Sequence, residues 1–295
     1  MTSEPCPGST PWGAPLAGIG DEAAPDAPGQ CAALRQLGWH AIEIRSVDGV
    51  GVAELPARAC ADLAARLHES DLAVVCLDSA LGNWASHVTD PLSADLATLD
   101  ALARRADVLR CRWVRVMTYP GGGLAADRWR ALVLERLTRL AERAERLGLT
   151  LLLENCSGWA GTSAERLAWL LEEIDSPALA VVFDTGNGVP HGYDGLAMLG
   201  RLLPWVRHVQ VKDARQAGGQ VHYTLPGHGE ARLREMLALL WAGGYHGPLS
   251  LEPHLAHQPH SGARRTAGSA PFVAAGHALA ELLAGLTPPT LGAVR

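Results

Sequence analysis

Short apolar runs that close on polar residues recur along the chain, and the intervals between them carry helical periodicity. The run Leu149-Thr150-Leu151-Leu152-Leu153 is continuous enough to be a strand buried on both faces, as in a parallel sheet, and it closes on Glu154 and Asn155. The pattern returns at Ala180–Phe183 before Asp184, at Val206–Val211 before Lys212 and Asp213, and at Pro248–Leu251 before Glu252. Upstream it predicts strands at Leu16–Ile19, Ala41–Arg45, Leu72–Leu77 before Asp78, and Arg112–Met117 before Thr118. Helices are expected at Ala27–Leu37, Leu55–Glu69, Ser93–Leu109, Leu124–Leu147, Gly195–Leu203, Glu230–Gly243 and Ala270–Leu286. One more follows Thr162 or Ser163 as its cap, with Leu167, Leu170 and Leu171 on one face. Gly38 and Gly148 supply helix stops, and Pro271 falls in a first turn, where a missing N–H costs nothing.

Eight strand–helix pairs repeating every ~30–40 residues predict one α/β domain, a (β/α)8 TIM barrel spanning 15–287. The Pro/Gly/Ala-rich ends, 1–14 and 288–295, are expected to be poorly ordered. The competing doubly wound sheet would carry a glycine-rich phosphate turn after its first strand. Gly18-Ile19-Gly20-Asp21-Glu22 does not fit that turn.

Composition narrows the function classes. The chain has 295 residues, 48% of them apolar, which is ample for one large core. Its 25 basic and 31 acidic side chains give 25 − 31 = −6, which opposes a nucleic-acid partner. No apolar run reaches the ~18–20 residues that span a bilayer, and Met1–Pro15 lacks a signal-peptide pattern. The six cysteines are widely spaced without a CxxC pair, and the expected compartment is the reducing cytoplasm.

Side-chain alternation then indicates which groups share the barrel interior. On the second strand Glu43 and Arg45 point together, opposite Ile42 and Ile44; on the seventh His208, Gln210 and Lys212 share a face against Val209 and Val211. Valine outward and polar groups inward suits the mouth of an active site, which in such barrels lies at the C-terminal ends of the strands. Glu154, Asp184, Gln210 and Glu252 therefore converge from strands five to eight. Three crowded carboxylates require either protons or a divalent cation. Oxygen ligands favour Mg²⁺ or Mn²⁺ over Zn²⁺. The competing interpretation is that each acid caps the helix that follows it.

Several segments carry a resemblance covering most of the chain: Leu153-Glu154-Asn155, Phe183-Asp184-Thr185-Gly186-Asn187, Val209-Gln210-Val211-Lys212-Asp213, Gly227-His228-Gly229-Glu230 and 244–252. They resemble the xylose isomerase-like barrel family of sugar isomerases and epimerases, which also includes inosose dehydratase. The resemblance implies a divalent-metal site formed by Glu154, Asp184, residue 210 and Glu252, with the first and last acids moving a proton. It also makes a homo-oligomer, a dimer or tetramer, a reasonable expectation. Two positions depart from the family pattern: Gln210 stands where a histidine ligand is usual, and Asn187 where many relatives carry a substrate-contacting histidine.

The expected chemistry is isomerisation or epimerisation of a sugar, keto-sugar or related polyol through an enediolate. Glu154 and Glu252 are the acid–base pair, and Lys212 stabilises oxyanion charge or pairs with Asp184 or Asp213. Glu43, Arg45, Trp84, Asn187, Arg215 and His254 are candidate substrate contacts, with Glu43 expected to hold Arg45; His222, His228 and Trp159 are weaker candidates. Two alternatives stay open: a lyase or dehydratase using the same enolate, and a metal-free binding role favoured by Gln210.

Overall fold

The structure, a computed structural model, describes residues 8–256 and 268–287. Eight strands run parallel around a barrel: β1 (Leu16–Gly18), β2 (Ala41–Ile44), β3 (Ala73–Asp78), β4 (Trp113–Thr118), β5 (Thr150–Gly158), β6 (Leu179–Asp184), β7 (Val206–Val211) and β8 (Leu249–Leu251). Their order, β1-β8-β7-β6-β5-β4-β3-β2, is brought round to closure by a parallel bridge between Ile19 and Glu43. Helices α1 (Ala27–Gln36), α2 (Ala57–Glu69), α3 (Leu92–Leu109), α4 (Ala126–Leu147), α5 (Ala164–Ile174), α6 (Gly195–Leu202), α7 (Leu233–Ala242) and α8 (Ala270–Ala284) connect the strands and follow the last one. The expected single (β/α)8 barrel is the observed architecture.

Local chemistry sets the helix ends. Asp26 and Ser163 accept from Gly29 and Arg166 N–H groups at the starts of α1 and α5. Gly148 closes α4 in the left-handed region, φ 66°. α7 starts at Leu233, three residues later than the pattern suggests. The segment before it is held to β7's exit instead: Glu230 N–H donates to the Ala214 carbonyl and Ala231 N–H to the Asp213 carboxylate.

Alternation along the strands grades the barrel interior. At the N-terminal end Cys76, Leu152, Ala180 and Val182 form a small apolar layer with Trp113 against it. Two residues further along the same strands stand Asp78, Glu154, Asp184 and Arg115, all buried. The outward set, with Leu151, Leu153, Val181, Val209 and Val211, joins the larger core beneath the helices. An antiparallel hairpin, Asp213–Ala217 with Gln220–Thr224, rises from β7 over the mouth. Residues 8–14 of the N-terminal segment pack back onto the barrel, Trp12 stacking on Trp241 at 5.1 Å between ring centres. Residues 1–7 and the expected tail 288–295 lie outside the described residues.

Candidate functional site

The C-terminal mouth opens into a cavity of about 460 Å³ lined by Arg45, Arg115, Glu154, Asn187, Lys212, Glu252 and His254, with Trp84, Tyr223, Cys156 and His191 around them. Strand register brings the acids together: Asp184 sits beside Gln210, and Gln210 beside Ser250, two residues before Glu252. Asp184 and Gln210 are buried but do not line the cavity; Lys212 does.

Three cations lace this ring. Lys212 Nζ lies 2.9 Å from both Asp184 Oδ2 and Glu252 Oε2. Arg45 donates to Glu252 Oε1 at 2.6 Å and to Glu22 Oε1 at 2.7 Å, and holds Asp21 through its Nε. Arg115 donates to Glu154 Oε2 at 2.7 Å and pairs with Asp78. The second oxygen of Glu154 accepts from Asn187 Nδ2 at 2.9 Å. Asp184 Oδ1 accepts the backbone N–H groups of Gly186 and Asn187, both at 2.8 Å.

Proton affinities follow from this packing. Burial would lower the Lys212 ammonium, yet Asp184 and Glu252 hold its pKa well above the ordinary lysine value. Burial would raise the Glu252 carboxyl, yet Lys212, His254 and Arg45 hold it well below the carboxylate range. Asp184 goes the other way: burial pushes it up to about 7 despite Lys212. Burial also takes Asp78 well above its usual value despite Arg115.

The sequence-derived contacts divide. Arg45, Trp84, Asn187 and His254 reach the cavity. Glu43 does not, and it does not hold Arg45: it is fully buried below, accepting from Gln210 Nε2 at 2.9 Å and paired with His208 Nε2 at 2.8 Å. The register of β2 shifts between Ile42 and Glu43, and Arg45 finds its acids on the segment after β1 instead. Arg215, His222 and His228 are exposed and do not line the cavity. Trp159 is packing, edge-on to Trp169. Arg115, Asp21, Glu22 and Asp78 are further site groups, given no role from the sequence; alternation along Trp113-Val114-Arg115-Val116-Met117 is the signal that would have marked Arg115, and position at a strand end the three acids. His254 is held in the left-handed region, φ 49°, with its ring Nδ1 2.9 Å from Glu22 Oε1 and Nε2 3.4 Å from Lys212 Nζ.

Among the described residues two trios could hold a metal ion, Glu22–Glu252–His254 and Glu43–Cys76–His208. A divalent ion needs several lone pairs converging on one open point. The expected set does not offer that arrangement. Glu154 and Glu252 accept from donors at both oxygens, and Asp184 Oδ1 accepts two backbone N–H groups. Asp184 Oδ2 has no hydrogen bond and meets only the Lys212 ammonium, 2.9 Å away, which stands between Asp184 and Glu252 where a shared ion would sit. Gln210 spends its amide N–H on Glu43, leaving only its Oε1 without a partner. The trios are closed in the same way: Arg45 bridges Glu22 and Glu252, and burial holds the Cys76 thiol protonated. As arranged, these residues do not fit a divalent cation.

Known proteins are similar in sequence and in shape. An inosose dehydratase of Geobacillus thermodenitrificans is 28% identical over 131 residues, 39% of this chain and 44% of that protein, so the match spans less than half of either. The 3-keto-D-glucoside 4-epimerase of E. coli superposes with a TM-score of 0.67 at 16% identity, covering 90% of this chain and 98% of that one. A xylose isomerase-like barrel protein from Mycobacterium smegmatis, solved in complex with magnesium, gives 0.64 at 16% identity over 91% and 97%. At such identities the structural likenesses establish the fold alone. The model of one family, described as xylose isomerase-like TIM barrel, matches residues 31–270, and the chain belongs to that family.

Proposed function

We propose that this protein is an enzyme that removes a proton from the carbon beside a carbonyl in a sugar-like keto-polyol and expels water from the resulting enediolate. The observation that carries this reading is the set of side chains on one cavity: the carboxylates of Glu154 and Glu252 together with the cations Lys212, Arg45 and Arg115. Glu154 takes the proton, and the C–H electron pair becomes the enediolate, whose oxygen charge faces Lys212. The β-carbon–oxygen bond then breaks, and the leaving hydroxyl recovers the proton from Glu154 as water, so the enzyme returns to its starting state. Asn187 and Arg115 hold Glu154 by its two oxygens. Arg45 and Lys212 hold Glu252 ionised, where it keeps the ammonium in place.

Two things favour water loss over isomerisation. The sequence relatives carry the dehydratase name. A single recycled base also suffices for elimination, whereas epimerisation needs a second proton carrier, and Arg45 and Lys212 hold Glu252 as the carboxylate. Isomerisation or epimerisation is the second reading, because Glu154 and Glu252 both face the cavity. Product analysis on an inosose and a 3-keto-D-glucoside separates them. Dehydration gives an enone and loses one water, epimerisation conserves mass, and conversion of neither probe would reject the proposal.

A further inference from the structure

We infer that this chain works without a resident divalent ion: the Lys212 ammonium occupies the cation position between Asp184 and Glu252 and, with Arg45 and Arg115, supplies the positive charge against which an enediolate forms. The catalytic half of this statement rests on the proposed function; the binding half does not.

Geometry carries it through several independent contacts. Lys212 Nζ sits at hydrogen-bond distance from two acids of the expected ligand set at once, 2.9 Å each, so an ion there would have to expel it. The lysine is fixed along its length. Its backbone N–H donates to Thr185 Oγ1 at 2.9 Å, and its carbonyl accepts from the same hydroxyl at 2.7 Å. Gly186 lies against its stem, where an added Cβ would stand 2.7 Å from Lys212 Cγ. A channel that only glycine leaves open is therefore filled by this side chain.

Gln210 contributes the second observation. A histidine there would offer a ring nitrogen as a strong ligand. The carboxamide instead turns its N–H₂ group to Glu43 at 2.9 Å, joining the buried His208–Glu43 pair below. It does not line the cavity. Gln210 thus offers only an amide oxygen where a histidine would offer a ring nitrogen, and it anchors the layer under the ammonium. Arg45 repeats the arrangement at the other face of Glu252, bridging it to Glu22 at 2.6 and 2.7 Å.

The test is metal binding by the full-length protein, stripped with EDTA and titrated calorimetrically with MnCl₂ and with MgCl₂, alongside elemental analysis of the untreated protein. The wild type is expected to hold far less than one ion per chain and to show no saturable binding up to roughly millimolar Mn²⁺, about −4 kcal/mol at 1 mM. The double variant Gln210→His with Lys212→Met is expected to bind Mn²⁺ at least about tenfold more tightly than wild type. Stoichiometric binding by the wild type would overturn the inference, and this outcome does not depend on whether the variants fold. A metal-free wild type that converts no keto-polyol would reject the proposed reaction and leave the binding statement standing.

Discussion

Replacing Lys212 with methionine keeps the unbranched stem, one atom shorter, and removes the charge that Asp184 and Glu252 share. Both contacts are 2.9 Å long and all three side chains are buried. Removing one partner of a buried ion pair typically costs about 3–5 kcal/mol, because the remaining charge is left unpaired. At ~2–4 °C of melting temperature per kcal/mol, the variant should melt roughly 6–20 °C below wild type. The loss should also carry a pH signature from Asp184, whose folded pKa is raised to about 7. A carboxyl raised on folding stabilises while it holds its proton; that stability is full below the unfolded pKa of ~3.9 and drains away as pH rises through the folded value. Without the ammonium the folded value climbs further, so the drain continues past pH 7 at up to about 1.4 kcal/mol per unit. The deficit of the variant against wild type should therefore widen between pH 6 and pH 8. Urea denaturation followed by tryptophan fluorescence, with EDTA present so that no ion replaces the lysine, measures this directly. A deficit under ~1 kcal/mol that does not change with pH would mean the ammonium is not wedged between the acids, and the electrostatic account of the site would fail.

Glu154→Gln should reduce turnover of a converted keto-polyol by about 10²–10⁴-fold with circular dichroism unchanged, and Glu252→Gln should reduce it less; equal losses would indicate two proton-transferring acids and favour epimerisation. Asp213→Ala removes an acceptor that holds the N–H groups of Ala214, Gly227 and Gly229 at 2.9 Å and of Ala231 at 3.2 Å, so stability should fall by about 2–3 kcal/mol. Hydrogen exchange should then accelerate at residues 227, 229 and 231, and unchanged protection there would show that the loop holds itself.

The barrel was legible because each strand is a compact apolar run and each helix a periodic one, and the Val206–Val211 strand falls where its pattern places it. Inward placement of His208, Gln210 and Lys212 was legible for the same reason: a period of two fixes which side chains share a face. Partners across the barrel were not. Glu43 meets His208 and Gln210 from 165 and 167 residues away, and Arg45 meets Glu252 from 207, distances at which no local pattern survives. Crowded carboxylates at strand ends pointed to a counter-charge. Whether that charge is an ion or the protein's own lysine and arginines depends on the rotamers of Lys212, Arg45 and Arg115, which spacing does not encode.

Isotope exchange tests the central claim most directly. An inosose and a 3-keto-D-glucoside are incubated in D₂O with EDTA-stripped protein and followed by NMR at the carbon beside the carbonyl. Exchange or deuterated product with wild type in EDTA, lost in Glu154→Gln, is the expected result. Exchange that appears only when Mn²⁺ is restored, or none in either probe, would contradict the account.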